Sequence, residues 1–130
     1  MSEARGEFKV SGMGEETYAK RRPGKLTRAN GSQAFSGDIK GTGRVEWLMC
    51  YRKDKTAEYV GLQEISGTLG GRRGSFVLTA SGAYDGTKSK GKWAIVPGSG
   101  KGGLAGITGK GSFVAGPGPQ ATFRLSYELG

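Results

Sequence analysis

Apolar and polar residues alternate with a period of two over much of the chain, a pattern typical of β-strands that bury one face. The clearest case is QATFRLSYEL, residues 120–129, where every second residue from Ala121 to Leu129 is apolar and the residues between them are polar. The same pattern predicts seven further strands, at residues 5–12, 25–35, 43–52, 57–69, 73–84, 88–97 and 109–116. No segment has a convincing helical period, and only residues 15–20 favour a single helical turn.

The stretches between these strands are short and rich in turn-forming residues, as in RKDK, YDGT and GPGP. Eight strands with short connections predict one all-β domain over residues 1–130, an eight-stranded antiparallel barrel of the lipocalin-like kind, because closure removes exposed edges. The similar segments GRRGSFV (71–77) and TGKGSFV (108–114) fit two hairpins of one meander. Glycines inside the predicted strands are expected to mark bends of a tight barrel. They are Gly61, Gly67, Gly82 and Gly91.

Residues 12–24, GMGEETYAKRRPG, form the longest connection that lacks alternation. We expect a loop that acts as a lid over one end of the barrel, because connections of this length in compact domains are commonly lids. Tyr18 is expected to reach inward as a plug. The cationic run Lys20–Arg22 would stay at the rim, where it suits an anionic head group on an otherwise apolar ligand.

Two glycine motifs resemble nucleotide-binding loops but lack the context that such loops need. The GxGxxG pattern that begins at Gly98 is followed by a predicted strand, whereas a dinucleotide site requires a helix. In residues 86–93, GTKSKGKW, Trp93 stands where a phosphate-binding loop needs a hydroxyl side chain. We therefore interpret both stretches as barrel connections.

The composition excludes several kinds of chemistry. The chain has 26 glycines, one cysteine and no histidine, so His-dependent nucleophilic machinery and His- or thiolate-ligated metal sites are excluded. We expect neither a metal nor a cofactor, and any reaction would depend on carboxylates, tyrosine, amides, cations and shape. The charged N-terminus is unlike a signal peptide, no apolar run is long enough to span a membrane, and the lone Cys50 suits a reducing compartment. A cytoplasmic location is expected.

Five segments together resemble a known family. They are GKLTRA, FSGDIKGTG, EWLMCYR, YVGLQEISGTLGGRRGSFVL and PGSGKGGLAGITGKGSF, which occur in the family's order and spacing between about Lys25 and Leu129. The resemblance is to bacterial proteins of unassigned function that share the barrel of plant allene oxide cyclase and, more distantly, of dirigent proteins. It implies that residues 96–113 are a glycine-rich bend and hairpin, packed by Leu104, Ile107 and Phe113.

The resemblance also implies how such a barrel would work. The plant relatives close a ring by holding a reactive substrate in one conformation, and catalysis of this kind needs orientation and exclusion of water rather than histidine. The chain departs from the family pattern at two positions: a glutamate is replaced by Gln63, with Glu64 following, and a histidine is replaced by Ala80. Any acid–base role of those two positions in relatives is therefore lost or moved here.

The candidate binding site is the barrel lumen, which at this size can hold one small ligand or be filled with side chains. The predicted ligand-binding residues are Tyr18, Trp47, Met49, Tyr51, Tyr59, Gln63, Trp93, Phe123 and Tyr127. Alternation places Trp47 and Tyr51 on one face, Glu46 on the opposite face, and Gln63 with Tyr59 and Ile65. Glu46 and Gln63 are the candidate catalytic residues, as a proton carrier and a hydrogen-bonding group.

Three functions follow from these features. The first is a cofactor-independent cyclase or isomerase acting on an apolar or polyunsaturated, natural-product-like small molecule, and the second is a carrier that releases its hydrophobic ligand unchanged. The third is a nucleic-acid-binding barrel, since 20 Lys and Arg against 11 acids give a formal net charge of +9; its affinity would fall steeply with salt. A hydrophobic small molecule is the favoured partner over nucleic acid or membrane, and a homo-oligomer, dimer or trimer, stays open.

Overall fold

The structure is a computed structural model that describes residues 2–116, 118 and 120–130. Over these residues it is all-β, which confirms the predicted fold class of an eight-stranded antiparallel barrel, with one short additional strand. The strands are β1 (Ser2–Arg21), β2 (Gly24–Gly37), β3 (Ile39–Tyr51), β4 (Ala57–Leu69), β5 (Arg72–Tyr84), β6 (Ser89–Ile95), β7 (Lys101–Gly102), β8 (Thr108–Ala115) and β9 (Gln120–Glu128). No helix capable of crossing a membrane occurs in the part of the chain that the structure describes.

The strands form a meander that closes on itself. They pair in the order β4-β3-β2-β1-β9-β8-β6-β5, and the pairing of β4 with β5 completes the ring. The two-residue strand β7 lies within the connection from β6 to β8 and pairs with the start of β5. The β1–β2, β3–β4 and β5–β6 connections share one end of the barrel with the end of β8 and the start of β9, called the β1–β2 end below. The opposite end carries the β4–β5 turn and is called the β4–β5 end.

The period-two pattern of the sequence becomes an inside and an outside. In β9, Ala121, Phe123, Leu125 and Tyr127 are buried, whereas the residues between them are exposed or half-buried. Inward side chains from all the long strands meet in one hydrophobic core. Burying a large apolar side chain stabilises a fold by about 1.5–3 kcal/mol, so this alternation selects the register of each pair.

The glycine-rich stretch 96–113 is a barrel connection, as expected from its sequence. Glycines with positive φ, among them Gly98 and Gly106, turn the chain around β7, and β8 follows directly. Leu104, Ile107 and Phe113 are 1%, 0% and 5% exposed, so they are packing residues. Leu104 and Ile107 lie in the connection itself and pack into the core at the β4–β5 end.

The predicted lid over residues 12–24 is wrong, because β1 continues through Arg21 and forms a hairpin with β2. The register of that hairpin shifts between Ser11 and Gly14 and again between Thr17 and Ala19. Each β-bulge inserts an extra residue and moves the following side chains to the other face. The bulges therefore interrupted the alternation, and the absence of alternation indicated a loop where there is a strand.

The glycines inside the strands lie where neighbouring atoms come close to the backbone. None of the four predicted bend positions has a positive φ. A Cβ atom on Gly61 would lie 2.7 Å from Cδ1 of Trp47, and one on Gly91 would lie 2.4 Å from the ring of Phe113. At Gly61 and Gly91 an aromatic ring therefore occupies the space that a side chain would need, which gives these two glycines a packing role.

Candidate ligand-binding site at the β1–β2 end

The middle of the barrel is filled by five aromatic rings, which we call the aromatic core. They are Phe8, Phe35, Trp93, Phe113 and Phe123, each 6% exposed or less. Trp93 is central, with its ring centroid 5.9 Å from that of Phe8, 5.4 Å from that of Phe113 and 5.7 Å from that of Phe123. These separations are those of rings in direct contact. The predicted ligand-binding residues Trp93 and Phe123 are therefore part of the packed interior.

The lumen face of β3 becomes more exposed toward the β1–β2 end. Val45 is 2% exposed, whereas Trp47, Met49 and Tyr51, the next three residues on the same face, are only half-buried. Trp47 and Met49 pack against the core from this side. Trp47 and Tyr51 share one face of the strand, as the sequence predicted. Together these three side chains line a mouth, the name used below for this part of the barrel.

Tyr59 on β4 extends the wall of the mouth beside Met49. It pairs with Met49, and its ring centroid lies 6.2 Å from that of Trp47 in an edge-to-face arrangement. Its hydroxyl is 2.9 Å from the hydroxyl of Ser89 on β6. Burial raises the pKa of Tyr59, and the hydrogen bond with Ser89 opposes that change. The phenol is therefore held neutral, as a polar group at the edge of an apolar wall.

A carboxylate that the sequence analysis missed lies at the mouth. Oε2 of Glu15 accepts hydrogen bonds from the hydroxyls of Thr27, at 2.7 Å, and Tyr51, at 2.8 Å. Glu15 faces inward because it pairs with the fully buried Ala29. The pKa of Tyr51 is raised to about 12, mainly by burial and secondarily by its hydrogen bond with Glu15. Alternation within residues 12–24 would have indicated Glu15 only if the bulges of β1 had been recognised.

The barrel wall beside Glu15 is incomplete. β9 pairs with β1 only from Ser2 to Lys9, and in the described structure the rest of β1 pairs with β2 alone. The outer half of the β1–β2 hairpin therefore extends past the closed ring and forms one side of the mouth. This gives a route by which solvent or a small molecule reaches Glu15 and Tyr51.

Gln63 lies deeper, on the lumen face of β4 with Tyr59 and Ile65, as predicted. It is 1% exposed, and its Nε2 donates a 2.7 Å hydrogen bond to Oε1 of Gln33 on β2. The only other buried polar side chain among the described residues is Thr27. The interior thus carries amides and a hydroxyl, with its carboxylate at the rim.

Comparison with known families identifies the chain. The model of a family described as "Protein of unknown function (DUF3224)" matches residues 4–127. The chain belongs to the DUF3224 family. A crystal structure of a DUF3224 protein of unknown function from Shewanella oneidensis MR-1 is similar, with 28% sequence identity and a TM-score of 0.85 over 100% of this chain and 98% of that one. No curated protein matches the chain.

Other predicted site residues lie away from the mouth of this DUF3224 barrel. Glu46 is exposed on the outer face of β3, opposite Trp47, as alternation predicted, so its carboxylate does not face the lumen. Tyr18 is the extra residue of the second bulge and is 52% exposed, so it is not an inward plug. Tyr127 is buried, but it lies near Gly70 at the β4–β5 end.

The outside of the barrel carries its own apolar residues. Leu48 on β3 pairs with Val60 on β4, and these side chains are 45% and 56% exposed. Two grooves lie along these strands, and Leu48 and Val60 line both of them. They provide a second surface for apolar molecules, which any binding experiment on the DUF3224 barrel must separate from the mouth.

Replacing Glu15 with Gln is expected to lower the pKa of Tyr51 from about 12, while burial, its largest cause, keeps it above the ordinary value. A raised tyrosine pKa stabilises the fold at pH below about 10, and this contribution is lost as the pH rises from about 10 through about 12. The measurement is an alkaline absorbance titration of tyrosinate, with Tyr51→Phe used to subtract the other four tyrosines. An unchanged titration in Glu15→Gln would show that the bond from Tyr51 to Glu15 is not formed.

Proposed function

We propose that this barrel binds a largely apolar small molecule at its mouth. The observation that carries the proposal is the change in exposure along one face of β3, from Val45 at 2% to the half-buried Trp47, Met49 and Tyr51. An apolar wall with a few convergent polar groups is the usual composition of a ligand site. Here the wall is formed by Trp47, Met49 and the ring of Tyr59. The polar groups are the hydroxyls of Thr27 and Tyr51 and the carboxylate of Glu15.

The energetics of the mouth favour a ligand over open water. Aromatic side chains that remain half-exposed gain free energy when a ligand removes their surface from solvent, by about 25 cal/mol per Å² of apolar area. Trp47 rests against Gly61, so its ring is already positioned before a ligand arrives. A preorganised wall lowers the entropy lost on binding.

One observation favours catalysis as a second candidate function. Glu15 is a carboxylate at the mouth, held by hydrogen bonds from Thr27 and Tyr51. In a cofactor-independent isomerisation it would accept a proton from one carbon of the substrate and return it to another, so that the carboxylate ends as it began. The resemblance to allene oxide cyclase supports a cyclase that acts by orientation. In this proposal Glu15 takes the role of proton carrier that the sequence analysis gave to Glu46, because Glu46 faces outward.

The proposal is tested with N-phenyl-1-naphthylamine, an uncharged apolar dye whose fluorescence rises in apolar sites. Trp47→Ala is expected to raise the Kd for the dye about tenfold, which corresponds to about 1.4 kcal/mol, because the wall of the mouth is lost. Leu48→Ala is the matched control, since the next residue of the same strand faces outward, and its Kd should stay within about twofold.

The opposite result, a loss of dye binding in Leu48→Ala but not in Trp47→Ala, would assign binding to the outer grooves and contradict the proposal. Carrier and catalyst are then separated by chemical analysis of a bound polyunsaturated compound after incubation. A carrier returns the compound unchanged. A catalyst converts it, and Glu15→Gln then abolishes an isomerisation while leaving binding intact.

A further inference from the structure

Among the residues that the structure describes, three hydrogen-bond donors inside the barrel have no partner. They are Nε2 of Gln33, Nε1 of Trp47 and Nε1 of Trp93. Gln33 is 3% exposed and Trp93 is 2% exposed, so water outside the barrel does not satisfy them. An unpaired buried donor costs about 1–3 kcal/mol, and folded proteins rarely leave several together. Their grouping indicates that something else supplies acceptors.

The three donors lie on the lumen side of the barrel, and strand pairing relates their positions. Trp47 pairs with Gly61 on β4, Gly61 pairs with Ala80 on β5, and Ala80 pairs with Trp93 on β6, so the two indoles lie in one row across the sheet. Gln33 is held by Gln63, whose β3 partner Val45 is two residues from Trp47. Between the two indoles this row carries only Gly61 and the small side chain of Ala80.

The hydrogen bond between Gln63 and Gln33 shows whether donors or acceptors lack a partner. Gln63 donates to the carbonyl oxygen of Gln33, so that oxygen is used and the amino group of Gln33 is left over. Each unpartnered atom of this group is therefore an N–H. Each of these N–H groups needs a hydrogen-bond acceptor, and the described interior does not supply one.

The charge of the site limits what the acceptor can be. Thr27, Gln33 and Gln63 are the only buried polar side chains among the described residues, and none of them carries a charge. A buried carboxylate or phosphate would have no cation to compensate it, which is costly. The carboxylate of Glu15 at the mouth would also repel an anion.

We propose that the barrel's ligand carries neutral oxygen acceptors, such as ketone, ester or ether oxygens, which accept hydrogen bonds from Gln33, Trp93 and Trp47. This rests on the proposed function, because the ligand enters through the mouth. Its apolar part lies against Trp47 and Tyr59, and its oxygen atoms point inward to the indole and amide groups. A ligand of this class does not direct a carboxylate, as in a free fatty acid, or a phosphate into the barrel.

The test uses two naphthalenes of matched shape. The first is 6-propionyl-2-dimethylaminonaphthalene, a fluorescent ketone whose emission shifts to longer wavelength when its carbonyl accepts a hydrogen bond, and the second is its 6-propyl analogue without the oxygen. The unaltered protein is expected to bind the ketone at least about tenfold more tightly than the analogue. Bound ketone should show the emission of a hydrogen-bonded carbonyl.

Variants then assign the preference to the donors. In the double variant Gln33→Leu/Gln63→Leu the amide pair is replaced by apolar groups, a change that is tolerated because no lone polar group remains. Its preference for the ketone should fall to about threefold or less, with the affinity for the analogue retained. Trp47→Phe removes one indole N–H, keeps a ring, and should reduce the preference as well. Gln120→Leu, at an exposed glutamine, is the control and should preserve it.

The outcomes separate this inference from the proposed function. If both naphthalenes bind equally well to the unaltered protein, the ligand class is wrong while the binding function stands. If neither binds, the proposed function fails. A preference that persists in both Trp47→Phe and the double variant would show that these donors do not recognise the ligand. If the double variant does not fold, Trp47→Phe alone decides between these results.

Discussion

Replacing Trp93 with alanine is expected to lower the free energy of unfolding by about 3–5 kcal/mol, the range for deleting a buried large aromatic side chain. Trp93 is 2% exposed and contacts Phe8, Phe113 and Phe123, so the deletion leaves a cavity that is surrounded by rings. These rings are held by three different strands, which limits how far they can move to fill it. Urea denaturation followed by far-ultraviolet circular dichroism measures the change.

Val114→Ala is the control for this experiment, because Val114 faces outward on β8 and is 40% exposed. It should change the unfolding free energy by less than about 1 kcal/mol. A loss below about 1 kcal/mol in Trp93→Ala would mean that the interior collapses around the cavity or is not packed in solution. Either result would contradict a packed aromatic core that cannot rearrange to fill the cavity.

Adding one methyl group at Gly67 is expected to destabilise the barrel by about 3 kcal/mol, at the upper end of the usual cost of overpacking. The Cβ of Gly67→Ala would lie 2.1 Å from the carbonyl oxygen of Lys40 and 2.8 Å from Cα of Gly41. These are backbone atoms of the paired strand β3, so no side chain can rotate away. Relief requires the β3–β4 ladder to separate locally, and its hydrogen bonds would be weakened.

Gly116→Ala is the matched change without a clash, since a Cβ at Gly116 would meet no atom of the described residues within 4 Å. We expect its unfolding free energy to stay within about 1 kcal/mol of the original, because the added side chain only restricts the unfolded chain. Equal stability of the two variants in thermal and urea unfolding would show that strands β3 and β4 do not approach each other as closely as described.

The strands were predictable because each buries one face, so apolar and polar residues alternate along it with a period of two. The residues of β9 and the face shared by Tyr59, Gln63 and Ile65 follow from that period alone. β1 was different. Its two bulges each reverse which residues face inward, and a single sequence does not show where an extra residue has been inserted. The same shifts concealed Glu15, whose inward direction is evident only from its pairing with Ala29.

The position of a residue along the barrel axis was not predictable either. Alternation tells whether Trp93 and Tyr127 face inward, but not whether they lie at the mouth, in the middle or at the β4–β5 end. That depth depends on the tilt and stagger of the strands, which are set by pairing partners distant in sequence. Trp47 lies at the mouth and Trp93 in the aromatic core for this reason, although both are inward tryptophans.

The pairing of β1 with β9 has a consequence for how the chain acquires its structure. Ser2 pairs with Tyr127 and Lys9 with Gln120, so this ladder joins residues more than 100 positions apart. The other long-strand ladders form between strands that are consecutive in the chain or separated only by β7. Loop-closure entropy delays contacts of such separation. Hairpins can therefore assemble progressively during synthesis, whereas the β1–β9 ladder forms only after β9 has been made. Until then, β1 has an unpaired edge that can associate with other chains.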